Sequence, residues 1–242
     1  MVEKDTGFVL KRINFRETSI ITTLFTRRYG KISGILKGFY SGKKEFTSSM
    51  DLFTFNQFVL YPKKTSIWLI SFADLIKDYP YLRKDYAKNR AAAKCASVIE
   101  SVLPLWERNE EIFRLFFLSL RYLENSEPRR VMYTFLIKFL TFCGLKPELR
   151  SCLSCGRELG KNIFFSHSMG GLVCPGCRSR CSDASALLPE TASTINYIQH
   201  NDFPHILRIS PSTRCSDQIL SLLDRFLMYH VNFRLLDKAV CL

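Results

Sequence analysis

The N-terminal third of the chain alternates short apolar or β-branched runs with polar breaks, which is the pattern of β-strands. The runs cover residues 8–13, 19–26, 32–36, 52–61 and 67–72. Glycines and a proline separate them, as turns require. Five strands in so short a stretch predict a small closed barrel, because closure removes exposed strand edges. We therefore expect a five-stranded OB-type barrel over residues 1–79.

The period of the pattern changes near residue 80, where apolar residues begin to recur every three or four positions. Helical patterns cover residues 83–103, 112–123, 131–143, 189–199 and 217–233. The third of these helices follows Pro128 and is apolar almost all round, so we expect it in the middle of a bundle. The predicted fold is α+β, with a helical domain over residues 80–242.

Two cysteine pairs lie within the helical part of the chain. Cys152 and Cys155 form one pair, and Cys174 and Cys177 form the other, with eighteen residues between the pairs. Each two-residue gap lets a tight turn direct both thiolates at one ion, and two such turns complete a tetrahedron. Four thiolates leave no open position for water. The spacing therefore predicts one structural zinc ion in a knuckle at about residues 150–182.

Other ligand sets stay open at this point. His167 with one cysteine pair would make a mixed site, and Cys181 would serve in place of Cys177. Four cysteines also suit an iron–sulfur cluster by ligand type. Gly156 and Gly176 favour a knuckle, because its backbone often needs a positive φ.

The chain is strongly basic, with 35 Lys and Arg against 22 Asp and Glu and a net charge of +13. Such an excess predicts a polyanionic partner. Six basic residues and no acidic one lie between positions 27 and 44: Arg27, Arg28, Lys31, Lys37, Lys43 and Lys44. Tyr29, Phe39 and Tyr40 are interleaved with them, although an aromatic residue there serves equally well as barrel filling. Cations follow phosphates and aromatic faces stack on bases, so this segment predicts binding of single-stranded nucleic acid.

Signals for catalysis or membrane insertion are weak in this sequence. The four histidines are scattered, and no H-E-x-x-H or G-x-S-x-G motif occurs. No apolar run reaches the ~18 residues that a membrane span needs. Glu3, Lys4 and Asp5 lie where a signal peptide would be apolar. We expect a cytoplasmic protein that is not an enzyme, with no catalytic residue and no membrane partner.

Several motifs resemble the RecO family of bacterial recombination mediators. They are Gly7-Phe-Val-Leu-Lys-Arg, Glu17-Thr-Ser, Leu24-Phe-Thr-x-x-x-Gly30-Lys-Ile, Leu36-Lys-Gly38, Cys143-Gly-Leu-Lys-Pro147 and Gly170-Gly-Leu-Val-Cys174. The resemblance runs in family order from about residue 5 to 178. It implies an N-terminal OB barrel and a helical C-terminal domain with a zinc knuckle.

The resemblance also implies an activity and partners. Such a protein binds single- and double-stranded DNA, anneals complementary strands and, with RecR, helps RecA load onto DNA coated with single-strand-binding protein. It implies association with the nucleoid during repair and a basic site for the acidic tail of single-strand-binding protein. Family members place basic residues inside the third helix. Here Arg129 and Arg130 lie about a turn earlier, and only Lys138 lies within.

Two other classes of function remain open from the sequence. A sequence-specific regulator would read duplex DNA with the zinc segment, which needs a helix that presents side chains to bases. A metal-dependent nuclease would need a cluster of carboxylates. The acidic residues of the barrel segment are scattered instead.

Overall fold

The computed structural model describes residues 2–41, 47–63 and 65–235. The chain divides into two compact units, Met1–Glu124 and Asn125–Leu242. The division predicted at residue 79 coincides with the end of the β segment, but the first three helices cluster with the barrel in the first unit. As a domain boundary, residue 79 stays a prediction.

The first unit contains a closed five-stranded barrel. Its strands are β1 (Glu3–Phe15), β2 (Ser19–Thr26), β3 (Gly30–Leu36), β4 (Phe55–Tyr61) and β5 (Ile67–Lys77). They close in the order β1-β2-β3-β5-β4, and β1 pairs with β4. Neighbouring strands are antiparallel except β3 and β5. The predicted five-stranded OB-type barrel is confirmed.

Strand β1 begins five residues earlier than the predicted run. Glu3 pairs with Leu60 and Gly7 with Asn56, so the start of β1 closes the barrel against β4. Its polar residues gave no alternating apolar signal, because that pairing depends on a strand fifty residues away. The barrel interior is built from alternate positions of all five strands. It includes Val9, Ile20, Leu24, Ile32, Leu36, Phe58, Leu60, Trp68, Ile70 and Ala73.

Three helices follow the barrel within the first unit: α1 (Pro80–Lys84), α2 (Tyr86–Val102) and α3 (Glu110–Leu123). The side chains of Asp85 and Asn109 cap α2 and α3, and each accepts a hydrogen bond from the backbone N–H of the third helical residue. The apolar face of α3 covers β1, where the ring of Phe8 lies 5.1 Å from that of Phe116. This packing attaches the helices to the barrel.

The described part of the second unit contains four α-helices: α4 (Pro128–Phe142), α5 (Pro189–His200), α6 (Phe203–Ile206) and α7 (Thr213–Val231). Helix α4 packs against both α5 and α7, as its apolar sequence predicted. Pro128 occupies its first turn, and the Glu127 carboxylate accepts the N–H groups of Arg129 and Arg130. Within the described part of the chain, no helix combines the length and apolar character that crossing a membrane requires.

A small sheet between α4 and α5 was not predicted. Its strands are β6 (Ile163–Ser166), β7 (Gly171–Val173) and β8 (Ser185–Leu187), in the order β7-β6-β8. A 3-10 helix, Pro175–Arg180, joins β7 to β8. Strands of three or four residues are too short to show an alternating pattern. Together these elements carry the four paired cysteines.

Candidate metal centre and nucleic-acid interface

The four paired cysteines meet at one point. The sulfur atoms of Cys152, Cys155, Cys174 and Cys177 all lie within 4.8 Å of one another. Those of Cys155 and Cys174 are 3.8 Å apart, far beyond a disulfide bond. A tetrahedral zinc ion with bonds of about 2.3 Å needs sulfurs about 3.8 Å apart. The four thiols are therefore close enough to hold one metal ion, and their spacing fits zinc.

Two backbone turns direct these sulfurs inward. In the first, Gly156 donates its N–H to the Cys152 carbonyl (2.8 Å), with Gly156 at φ +72°. In the second, the N–H of Cys177 bonds to the Cys174 carbonyl at 3.0 Å. The expected positive φ is thus present at Gly156. It is absent at Gly176, where the 3-10 helix already makes the turn.

Backbone N–H groups converge on the Cys152 sulfur, which is almost wholly buried. The N–H of Cys174 lies 3.3 Å from it. Burial alone would raise the pKa of this thiol, but N–H groups of Cys174, Cys155 and Ser154 outweigh burial and lower the pKa of Cys152 to about 6. Since the thiolate is the metal-binding form of cysteine, these N–H groups favour that form at Cys152. At Cys155 the Arg157 N–H is outweighed by the neighbouring thiols, which raise the pKa to about 11.

The two alternative ligands lie outside this group. The His167 ring is buried edge-on against Phe165, with centroids 5.2 Å apart. The sulfur of Cys181 contacts that of Met169 at 3.4 Å. Within the described ranges, the four paired cysteines form the one cluster suited to a metal.

The cysteine segment has a very small apolar core. Cys152, Val173 and Cys177 are buried together, with Leu159 and Phe164 packed beside them. Every residue from 143 to 188 is described, and no α-helix lies among them. The segment therefore offers no α-helix beside the cysteines with which a sequence-specific regulator would read the major groove. Because this core is so small, a bound metal ion would supply most of the free energy that stabilises the folded segment.

The predicted basic segment begins at an exposed turn between β2 and β3. Arg27 forms an ion pair with Glu110 at 2.8 Å. The Arg28 guanidinium donates to the Lys4 carbonyl at 3.2 Å and lies 5.3 Å from the centre of the Tyr29 ring. Both arginines keep more than half of their side chains exposed. They are available to phosphates.

Lys31 differs from what its place in the sequence suggested. It is 8 % exposed, and its ammonium donates to the carbonyl of Glu100 in the last turn of α2. A cation is favourable at that end of a helix. Burial lowers the pKa of Lys31. This lysine fastens α2 to the barrel, and we remove it from the predicted DNA surface.

Lys37 lies at the other end of β3. Lys37 is exposed and precedes a turn in which Gly38 has φ +72°. It lies six positions along the chain from Lys31, which corresponds to about 20 Å of extended strand. Lys43 and Lys44 fall outside the described residues. Of the interleaved aromatic residues, Phe39 packs against the barrel core, whereas Tyr40 is exposed.

The three basic residues expected to bind a partner all make contacts within the second unit. Arg129 pairs with Asp217, and Arg130 donates to the Leu207 carbonyl at 3.1 Å. The Lys138 ammonium donates to the carbonyl of Gln199 at 3.2 Å, and its burial lowers its pKa. Of the three, Arg129 is the most accessible to a partner.

An aromatic cluster beside the β2–β3 turn was missed in the sequence. The ring centre of Trp68 lies 5.2 Å from that of Tyr29 and 4.8 Å from that of Trp106. Trp106 comes from the connection between α2 and α3, which carries no periodic pattern. The one available signal was the isolated Leu-Trp pair beside Arg108.

Comparison with known proteins gives a consistent result over both units. The family model described as Recombination protein O N terminal matches residues 1–79, and that described as Recombination protein O C terminal matches residues 83–238. A DNA repair protein RecO from Alkaliphilus metalliredigens is 29% identical over 244 residues, covering 99% of both chains. One from Desulfatibacillum aliphaticivorans is 30% identical over 232 residues, covering 92% of this chain and 90% of the relative.

Proposed function

This chain belongs to the RecO family of DNA repair and recombination proteins, and we propose that it is a recombination mediator that binds and anneals DNA. It would bind single- and double-stranded DNA and pair complementary strands. With RecR, it would help RecA load onto DNA coated with single-strand-binding protein. The family match over nearly the whole chain carries this proposal.

The charge on the barrel supports DNA binding. The net charge is +13, and Arg27, Arg28 and Lys37 are exposed on β3 or beside it. In an OB barrel, strands 2 and 3 and the loops around them form the usual face for oligonucleotides. Lys43 and Lys44 continue the same basic segment in the sequence. We therefore place the DNA on this side of the barrel.

Annealing by such a surface needs no nucleotide and no covalent intermediate. The exposed cations neutralise phosphates on one strand, which lowers the repulsion that a second strand meets on approach. The base pairs then supply the free energy of annealing. We accordingly propose that the protein is not an enzyme.

We propose zinc as the metal of the four-cysteine site, with a structural role. Four thiolates fill a tetrahedral sphere and leave no position for a reacting water. The small apolar core beside the sulfurs supports this role.

The acidic tail of single-strand-binding protein is proposed to dock at the start of α4. Arg129 supports this, because a tail carboxylate would replace that of Asp217 in an existing exposed pair. Arg130 and Lys138 lie on the same helix and would contribute where their internal bonds permit.

The decisive experiment is annealing of complementary strands coated with single-strand-binding protein, without nucleotide. We expect the protein to accelerate pairing, with an affinity for single strands that falls with salt at a log–log slope of about −0.7 per phosphate contact. Charge reversal of Lys37, Lys43 and Lys44 to Glu should weaken both binding and annealing. Reversal of three exposed basic residues beside the metal site, Arg157, Lys161 and Arg180, is the matched control. A flat salt response, or equal losses in both variants, contradicts the proposed surface.

A further inference from the structure

Trp106 is a large apolar side chain held in an exposed and strained position on the first unit. It is 40 % exposed. Its φ of +69° lies in the left-handed region, where a bulky residue is a rare exception. We propose that Trp106 is a stacking platform for a base of single-stranded DNA. This inference rests on the proposed DNA-binding function and assigns it a residue outside the barrel strands.

The barrel fixes the backbone of this tryptophan. The Trp106 N–H donates to the Lys31 carbonyl at 2.9 Å, and Leu105 forms a parallel bridge with Lys31. The next residue, Glu107, approaches Gly30 so closely that a Cβ there would lie 1.9 Å from its carbonyl oxygen. The connection between α2 and α3 is therefore bonded to the start of β3. A platform must be rigid in this way, because ordering it on binding would cost affinity.

Aromatic packing orients the indole ring. One side of Trp106 lies against Trp68, with centroids 4.8 Å apart and planes at 37°. Trp68 is itself held edge-on by Tyr29 and is nearly buried. Although Trp68 covers one side of it, Trp106 remains 40 % exposed, so part of the indole surface is open to solvent. A base stacked there would extend an existing series of rings.

Three arginines lie within two residues of Tyr29 or Trp106 in the chain. Arg27 and Arg108 both bind the Glu110 carboxylate, at 2.8 and 2.6 Å. Arg28 lies over the ring of Tyr29. The two arginines that share Glu110 lower its pKa, so it is charged at neutral pH and holds them together. A phosphate of a strand stacked on Trp106 would take the place of this carboxylate between Arg27 and Arg108.

The combination of rings and guanidinium groups favours nucleic acid over a protein partner. Aromatic faces stack on any base, and neighbouring cations follow the backbone, which is the usual composition of a single-strand site. The two predicted DNA-binding arginines, Arg27 and Arg28, lie at the same end of the barrel as Trp106. An acidic protein surface would satisfy the arginines without needing the exposed ring.

The test uses the full-length protein and an oligo(dT) strand. The chain has two tryptophans, and Trp68 is nearly buried, so quenching of tryptophan fluorescence by oligo(dT) should come from Trp106.

Trp106→Phe should remove the quenching and keep most of the affinity. Trp106→Gly suits the left-handed backbone and removes the ring. It should raise the Kd for oligo(dT) about 5- to 150-fold, the contribution of one base–aromatic stack. Tyr86→Ala, which removes an aromatic residue that is 73 % exposed on α2, is the control and should bind normally.

The results separate this inference from the proposed function. If Trp106→Gly binds oligo(dT) as tightly as the unsubstituted protein, or if quenching survives in Trp106→Phe, the platform is refuted while DNA binding stands. If Trp106→Gly loses only an interaction with another protein, the cluster is a protein interface and the inference is wrong. Failure of the unsubstituted protein to bind any strand refutes the proposed function itself. Should the glycine variant not fold, the quenching in Trp106→Phe decides alone.

Discussion

Replacing Gly30 with alanine should destabilise the first unit strongly, because the close approach of two backbone segments depends on it. Gly30 has φ +64°, and an added Cβ would lie 1.9 Å from the carbonyl oxygen and 2.5 Å from the carbonyl carbon of Glu107. Ordinary contacts begin near 3.4 Å. Both clashing atoms belong to the backbone and cannot rotate away. The segment that carries Trp106 must therefore move by about 1 Å or more from β3.

The cost follows from the contacts that this movement breaks. A left-handed backbone costs alanine about 1–2 kcal/mol. Loss of the hydrogen bond from Trp106 to the Lys31 carbonyl adds about 1 kcal/mol. Weakening the contact between Trp106 and Trp68 adds up to about 1 kcal/mol. We expect a total loss of about 2–4 kcal/mol in the free energy of unfolding.

Urea unfolding followed by tryptophan fluorescence measures this loss, since both tryptophans lie in the first unit. The midpoint should fall with little change in slope. Gly38→Ala is the matched control. Gly38 has φ +72°, but the nearest atom to its added Cβ is the Ser41 hydroxyl at 3.1 Å. That variant should lose only about 1–2 kcal/mol. Equal losses in the two variants would refute the role of Gly30 in attaching the connection.

Two further predictions concern the metal site and the buried lysine. Cys174→Ser should lose the bound metal, which metal analysis should find as one zinc per chain in the unsubstituted protein. The same substitution should lower the thermal midpoint of the second unit. Cys181→Ser is the control and should keep the metal and the thermal midpoint unchanged. Lys31→Met should change how stability depends on pH. The folded pKa of Lys31 lies below its ordinary value of 10.5, so the unfolded chain binds more protons between these two values. The unsubstituted protein should therefore gain stability relative to Lys31→Met as pH rises through that window. Urea unfolding of both proteins at pH 7 and pH 10 measures this, and an equal difference in unfolding free energy at the two pH values would contradict it.

The sequence predicted the regular elements well, because their signals are local. Strand β2 was predicted with its observed limits, Ser19–Thr26, and both of its ends coincide with changes in the alternation. Helix α4 was predicted as a buried helix from its apolar residues alone. The cysteine pairs were equally local, since two-residue gaps constrain where the thiols can point. Each of these features is decided within about fifteen residues.

Features that depend on distant partners were not predictable in this way. Lys31 looked like its basic neighbours in the sequence. In the structure the last turn of α2 covers it, and the Glu100 carbonyl there accepts a hydrogen bond from its ammonium group. Trp106 lies in an irregular connection, and its position depends on a glycine seventy-six residues earlier. Strands β6 to β8, with three or four residues each, are too short to repeat an alternating pattern. In each case the deciding contact joins segments that no local pattern connects.

The buried lysine also shows that a count of cations in the sequence overstates the number of phosphate contacts. Among the described residues of the basic segment, Arg27, Arg28 and Lys37 are exposed, whereas Lys31 is not. These three residues contribute about −2 to the log–log salt slope on single strands, to which Lys43 and Lys44 would add. If the strand also reaches Trp106, Arg108 adds a further contact and makes the slope steeper by about 0.7. The salt slope lost in an Arg108→Gln variant therefore measures whether DNA follows the barrel alone or continues onto the connection between α2 and α3.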